Sequence, residues 1–187
     1  MKKRILMGVL AFSLPALAGE LGIKLGGADI NWKGGGSTSL DMFVSVYAES
    51  LSTVSPMVKA GPSFEIGYGK KDIGTFYCVG YGVCSVDLTY TTLELNGKVA
   101  VSPMPLLDIF GGGGVSYSRF GLDATDPYTG NTVGTLGDEF GTGFQLFAGA
   151  QAVFGIFGVG LEYKYKKLNT DSIDSVSAIT LNLSLRF

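Results

Sequence analysis

Residues 176–187 read VSAITLNLSLRF, and a two-residue period divides them into two faces. Ile179, Leu181, Leu183, Leu185 and Phe187 share one face, while Thr180, Asn182, Ser184 and Arg186 share the other. A β-strand sorts side chains in this way because successive Cβ atoms point to opposite sides of a sheet. The same period recurs upstream and commits the chain to an all-β architecture of strands with one apolar face. That face looks either into a protein core or into lipid, and the position of the charges distinguishes the two.

The N-terminus carries Lys2, Lys3 and Arg4, an apolar run over residues 5–14, and Ala16-Leu17-Ala18 where a signal peptidase would cut. Residues 1–18 therefore read as a cleavable secretory signal peptide, and residues 19–187 as one domain. Beyond residue 18 no uninterrupted apolar run approaches the ~20 residues of a membrane-crossing helix. Yet the mean hydropathy is +0.32 and charged residues make up only 16%, too apolar for the surface of a soluble domain. Strands reconcile these facts, since each crosses a bilayer in ~9–11 residues and hides its apolar positions among polar ones. The 29 glycines and six prolines also disfavour long helices. A net charge of −2 supplies no basic field for nucleic acid.

Eight strands are expected, at residues 20–32, 40–49, 56–69, 85–101, 107–120, 140–154, 157–167 and 176–187. In the first, the apolar phase slips near Gly27-Ala28, which suits a bulge. The second has competing phases, with Met42, Val44 and Val46 against Phe43 and Tyr47, and its register stays open. Pro62 in the third removes a ladder hydrogen bond and belongs at an edge or bulge, an objection to a closed barrel. Gly111 to Gly114 permit tight coiling and lack the Gly-Lys-Ser/Thr of a phosphate cradle. Gly155-Ile156 fits a two-residue hairpin. Residues 70–84 and 121–139 read as long loops.

With strands three to eight phased by their apolar positions, the outward set, such as Leu93, Leu95, Val115, Tyr117, Leu161 and Tyr163, contains no charge. The opposite faces collect Lys24, Lys59, Glu65, Glu94, Lys98, Asp108, Glu162, Lys164 and Arg186. A Lys or Arg facing lipid near the midplane costs ~2–4 kcal/mol, so this segregation is what a bilayer demands. The expectation is an eight-stranded antiparallel up-and-down transmembrane β-barrel with a charged lumen. Short connections after even-numbered strands become periplasmic turns, which puts both termini on the periplasmic side. Phe154, Phe157 and Phe187 then fall at one rim and Tyr68, Tyr117, Tyr163 and Tyr165 towards the other, as two aromatic girdles.

Cys78 and Cys84 form an even count in an exported chain and are expected to staple a loop tip by a disulfide, worth about 2 kcal/mol. Two thiols alone make no metal site. Asp123, Asp126, Asp138, Glu139, Asp171 and Asp174 make the later loops acidic. Their spacing matches no calcium loop, so a solvated surface is expected over a divalent-cation site bridging to lipopolysaccharide phosphates. Neither a metal nor a cofactor is expected.

Strand count, loop asymmetry and the Phe187 ending give a chain that resembles the small eight-stranded bacterial outer-membrane barrels of the OmpA/OmpX type. The resemblance implies an outer-membrane location, contact with outer-membrane lipid and lipopolysaccharide, and recognition of Leu183, Leu185 and Phe187 as an assembly signal by the barrel assembly machinery. Barrels of this size that modify lipid A or cleave peptides use a histidine as general base. This chain has none, which leaves Ser116, Ser118 and the loop hydroxyls without an activating partner. Adjacent carboxylates such as Asp138-Glu139 point to opposite faces if in a strand. The expected function is non-enzymatic, with a lumen plugged by side chains and extracellular loops serving envelope integrity, adhesion or an extracellular partner. The alternative is a narrow channel or transporter for ions or small lipophilic molecules, with Val86, Leu88, Tyr90, Phe120 and Phe147 lining an apolar pocket.

Overall fold

Alternation this regular leaves the chain one way to satisfy its backbone, by pairing every strand on both sides. In the computed structural model, which describes residues 19–78, 82–126, 128, 129 and 131–187, its eight long strands do so around the common part of the ring. The expected signal peptide lies outside the described residues. The strands are β1 (Glu20–Trp32), β2 (Ser37–Glu49), β3 (Ser52–Ser55), β4 (Val58–Cys78), β5 (Gly82–Met104), β6 (Leu107–Thr125), β7 (Thr132–Phe154), β8 (Phe157–Asn169) and β9 (Ile173–Arg186). They pair antiparallel in the order β2-β1-β9-β8-β7-β6-β5-β4-β3, and a β2–β4 pairing closes the ring. The four-residue β3 lies along the lower end of β4, so eight long strands form the wall. The lower end of the barrel is the one near residues 19 and 187, and the upper end carries the β4–β5 and β6–β7 tips.

Pro62 does not break this wall. β2 pairs with β4 down to Glu49↔Ser63, and β3 resumes at Ser52↔Ala60. The Pro62 carbonyl accepts from the Ser50 N–H at 3.0 Å in the step between them. In an antiparallel strand the N–H and C=O of one residue face the same neighbour, so the missing N–H points into that step and costs the β4–β5 ladder nothing. At Gly155, φ is +63°, the left-handed backbone that the two-residue β7–β8 turn requires.

Three expectations are corrected. The irregularity near Gly27 exists, but β1 keeps its phase: Lys24, Ala28 and Ile30 all point inward. The extra residue is on β2, where Gly26 pairs with Phe43 and Ala28 with Leu40. Leu40 and Phe43, three apart, are consequently both buried, whereas two phases compete over residues 42–47 because the inward face there carries Phe43 and Tyr47 and the outward face Met42 and Val46. Next, residues 70–84 and 121–139 are largely strand. β4 and β5 pair from Lys70↔Thr89 to Cys78↔Gly82, and β6 and β7 from Phe120↔Glu139 to Thr125↔Thr132. Finally, the outer face carries charge immediately above its apolar belt, at Lys70, Arg119 and Lys167.

The second and third corrections share a cause, which is that polarity inverts along the barrel axis. In the lower half Leu93, Leu95, Val115, Leu146, Leu161 and Ile179 face outward while lysines and carboxylates face inward. In the upper half Asp29, Arg119 and Lys167 face outward, and Ile30, Leu40, Leu88, Tyr90, Phe120, Leu168 and Ile173 pack together inside. The upper barrel has the polarity of a soluble β-barrel, so lipid-type alternation fades there even though the sheet continues.

Closure leaves no room at the β1–β9 seam. A Cβ at Gly26 would lie 1.9 Å from the Ile179 carbonyl oxygen, whereas one at Gly27 would meet nothing nearer than the Leu40 oxygen at 3.6 Å. Gly26→Val is therefore expected to abolish the compact, heat-modifiable band on cold gel electrophoresis, and Gly27→Val to retain it.

Candidate functional site

Eight tilted strands enclose an interior just wide enough to be filled by side chains, and here the filling is charged. Lys24 on β1 lies 2.6 Å from Glu65 on β4 and 2.7 Å from Glu162 on β8. Lys164, also on β8, reaches Glu65 at 2.8 Å and Glu94 on β5 at 2.6 Å. Lys166 lies 2.7 Å from the other Glu94 oxygen and donates to the Tyr90 hydroxyl at 2.7 Å. All six charged residues are buried. Ser45 donates to Glu65 at 2.7 Å and Gln145 to Glu94 at 2.8 Å. Both carboxylates thus receive several donors in a space that excludes solvent, the condition under which buried ions are tolerated.

A second ionic layer lies nearer the lower end. Lys98 donates to both Glu49 oxygens at 2.7 and 2.9 Å and sits 4.1 Å from the Phe110 ring centroid. Arg186 bridges Glu20 at 2.6 Å and Asp108 at 2.8 Å. Tyr47 and Gln151 also donate to Glu20, at 3.0 and 2.9 Å. Lys59 is half-buried near this end and makes none of these pairs. Above both layers Tyr90 stacks on Phe120 with centroids 4.9 Å apart, within the apolar cluster. Between the ionic and apolar parts, a cavity bounded by Phe43, Tyr90, Glu94, Lys164, Lys166, Val176 and Ala178 measures 10 Å³, room for about one water.

The structure thus brings Lys24, Glu65, Glu94, Glu162 and Lys164 into one cluster and Lys98, Asp108 and Arg186 into another. Sequence reasoning missed Glu20, Glu49 and Lys166. Glu20 and Lys166 are in phase with inward residues already named, and counting the whole inward phase would have found them. Glu49 was hidden by the unresolved register of β2. Of the residues expected to line a ligand pocket, Leu88, Tyr90 and Phe120 pack in the apolar cluster and Val86 is half-buried. Phe147 lies lower, with Ala100 and Phe110.

Cys78 and Cys84 form a disulfide at the β4–β5 tip, whose residues 79–81 lie outside the described residues. Cys78, Cys84 and Ala124 pack together with Val133, which ties this tip to the β6–β7 hairpin. The acidic residues near the upper end serve as structural acceptors. Asp126 receives the Tyr128 N–H at 2.9 Å and the Thr129 hydroxyl at 2.8 Å, which hold its carboxyl below the usual range. Glu139 receives the Ser172 N–H at 2.8 Å, and Asp138 pairs with Arg119 at 2.8 Å. Among the described residues no group of three or more His, Cys, Asp or Glu side chains could hold a metal ion. Leu183 and Leu185 face outward on β9, and Phe187 is exposed, its N–H bonded to the Gly19 carbonyl at 3.0 Å.

A closed antiparallel ring with an apolar exterior and a charged, filled interior is the fold of the small eight-stranded outer-membrane β-barrels, the OmpA/OmpX type. The chain shares it with the attachment invasion locus protein Ail of Yersinia pestis, at 15% identity and a TM-score of 0.58, over 91% of this chain and 99% of that one. It shares it also with Neisserial surface protein A, at 10% identity and a TM-score of 0.64, over 90% of this chain and 96% of that one. Ail has also been crystallised with the heparin analogue sucrose octasulfate. No family model and no curated protein matches the chain.

Removing Lys164 would leave Glu65 and Glu94 each short of a cation inside the lumen. Stranding a buried charge costs about 3–5 kcal/mol, so Lys164→Met is expected to lower unfolding stability in lipid or detergent by that order, read from urea titration. Arg119→Ala, which breaks a pair on the exposed outer face, should leave the midpoint unchanged.

Proposed function

We propose that this chain is an outer-membrane protein with an occluded lumen, and that it acts without catalysis, through the hairpins above its apolar belt. The observation that carries the reading is the lumen itself. Two ionic layers and an aromatic cap occupy successive heights, and the cavity between them holds about one water. A conducting pore needs a continuous wet path, and opening one would require separating buried ion pairs. The extended β4–β5 and β6–β7 hairpins, held by the disulfide and the Ala124 contact, expose Phe76, Tyr77, Tyr128 and Leu136. A rigid platform with exposed aromatic groups is suited to contact with a partner. The absence of histidine from the sequence supports a non-enzymatic role.

The same reading directs residues 1–18 to export, puts both termini in the periplasm, and presents the platform to the outside. Leu183, Leu185 and Phe187 then serve as the signal read by the assembly machinery. Phe187 buries little against the rest of the protein, so its deletion should lower outer-membrane yield in cells while the assembled barrel unfolds at the wild-type denaturant concentration. Assembly at the wild-type rate would remove the signal from this reading.

Two measurements test the whole. The protein should fractionate with the outer membrane and migrate faster unheated than boiled; recovery as a soluble periplasmic monomer would overturn the membrane assignment. In planar bilayers the purified protein should show no sustained single-channel openings. Stable openings whose conductance changes in Glu94→Gln or Glu162→Gln would replace the occluded barrel with a gated channel.

A further inference from the structure

The apolar belt is not evenly filled. On its outer surface Val115 pairs with Phe144, and Phe144 with Lys167, forming a row across β6, β7 and β8. A trough of 730 Å³ lies on the upper side of this row, where Tyr117, Thr142 and Asn169 pair, and extends over Leu93 and Leu95. A second trough, of 510 Å³, lies on the lower side, where Gly113, Leu146 and Tyr165 pair. Gly113 supplies no side chain to that part of the belt and so forms the floor. Val115, Phe144 and Lys167 line both troughs, and the Phe144 ring, 76% exposed, stands between them.

From this geometry we infer a lipid-binding site, and the occupant is a lipid with more than one acyl chain and a net-anionic phosphorylated head, unlike zwitterionic phosphatidylcholine. This rests on the membrane reading above. Both troughs have apolar walls and share one cation, Lys167, at the height where the outer face turns polar. An amphipathic molecule fits that arrangement, with separate chains on either side of Phe144 and its anionic head at the ammonium. The Lys167 ammonium carries three donors, and Asp174 engages one as a fixed neighbour, leaving others for a phosphate oxygen. Each trough has the size of an ordinary small-molecule site, ~300–1,000 Å³. A second copy of this rigid, convex wall could not fill troughs on both sides of a protruding ring, whereas flexible chains can.

The test uses the full chain folded in phosphatidylcholine nanodiscs, with purified lipid A as the probe and native mass spectrometry as the readout. Lipid A retention is expected to weaken about tenfold when the probe is dephosphorylated, and equally in Lys167→Gln, the loss that follows from removing one charge-assisted contact. Val115→Trp fills both troughs from a lipid-facing position and should weaken retention of either form of the probe. Leu161→Trp, elsewhere on the belt, should retain lipid A as the wild type does. If Val115→Trp and Lys167→Gln hold lipid A as well as Leu161→Trp does, the site is refuted while the membrane reading stands. A chain that never enters the nanodisc as a folded, heat-modifiable barrel would overturn both.

Discussion

The narrowness of an eight-stranded ring governs this structure. A lumen of this width admits side chains but little water, so an inward lysine must find a carboxylate inside the barrel or remain an uncompensated ion. Lys24, Lys98, Lys164, Lys166 and Arg186 each have at least one carboxylate within 2.8 Å. The apolar belt enforces this from the other side, because lipid removes charge from the outer face and leaves the lumen as its place in the lower half. Charge segregation and the filling of the lumen by paired side chains are therefore one constraint seen from two surfaces.

The inversion of polarity shows where that constraint ends. Above Tyr68, Tyr117 and Tyr165 the outer face becomes charged with Lys70, Arg119 and Lys167, and the interior becomes apolar. In water the usual economy of a folded protein applies again, and Ile30, Leu40, Leu88 and Phe120 gain by leaving solvent. The upper barrel thus fills the lumen with an apolar cluster where the lower barrel fills it with ions.

This inversion also explains what the sequence could reveal. Below the girdle, alternation is enforced by lipid, and strands such as β8 and β9 are legible within two or three residues. Above it, residues 70–78 and 132–139 are held in the sheet by backbone pairing, without the alternation that lipid imposes. Backbone pairing leaves no mark in the pattern of side chains, so these segments read as loops. β2 failed for a different reason: its inward face carries Phe43 and Tyr47 while its outward face carries Met42 and Val46, so both phases read as apolar. With β2 unphased, Glu49 had no assigned face, and the partner of Lys98 stayed hidden. Pro62 misled because its cost depends on which neighbour its missing N–H would face, and that is a property of the closed sheet.

The ion pairs differ from the rest of the barrel in which strands they join. The ladders are mostly between consecutive strands, which are joined as hairpins. The lumen pairs skip strands: Lys24 meets Glu162 across 138 residues, Lys164 meets Glu65 across 99 and Glu94 across 70. In an open sheet β8 and β5 are separated by β6 and β7, and those pairs cannot form until the sheet curls. The lysines and carboxylates would then face one another unpaired, in a state that neither water nor lipid satisfies fully. Closing the β1–β9 and β2–β4 seams resolves every one of these pairs at the same step. The charged lumen thus makes closure cooperative: a partly closed barrel has left water without gaining partners, and the fully closed ring is the arrangement in which its buried charges are matched.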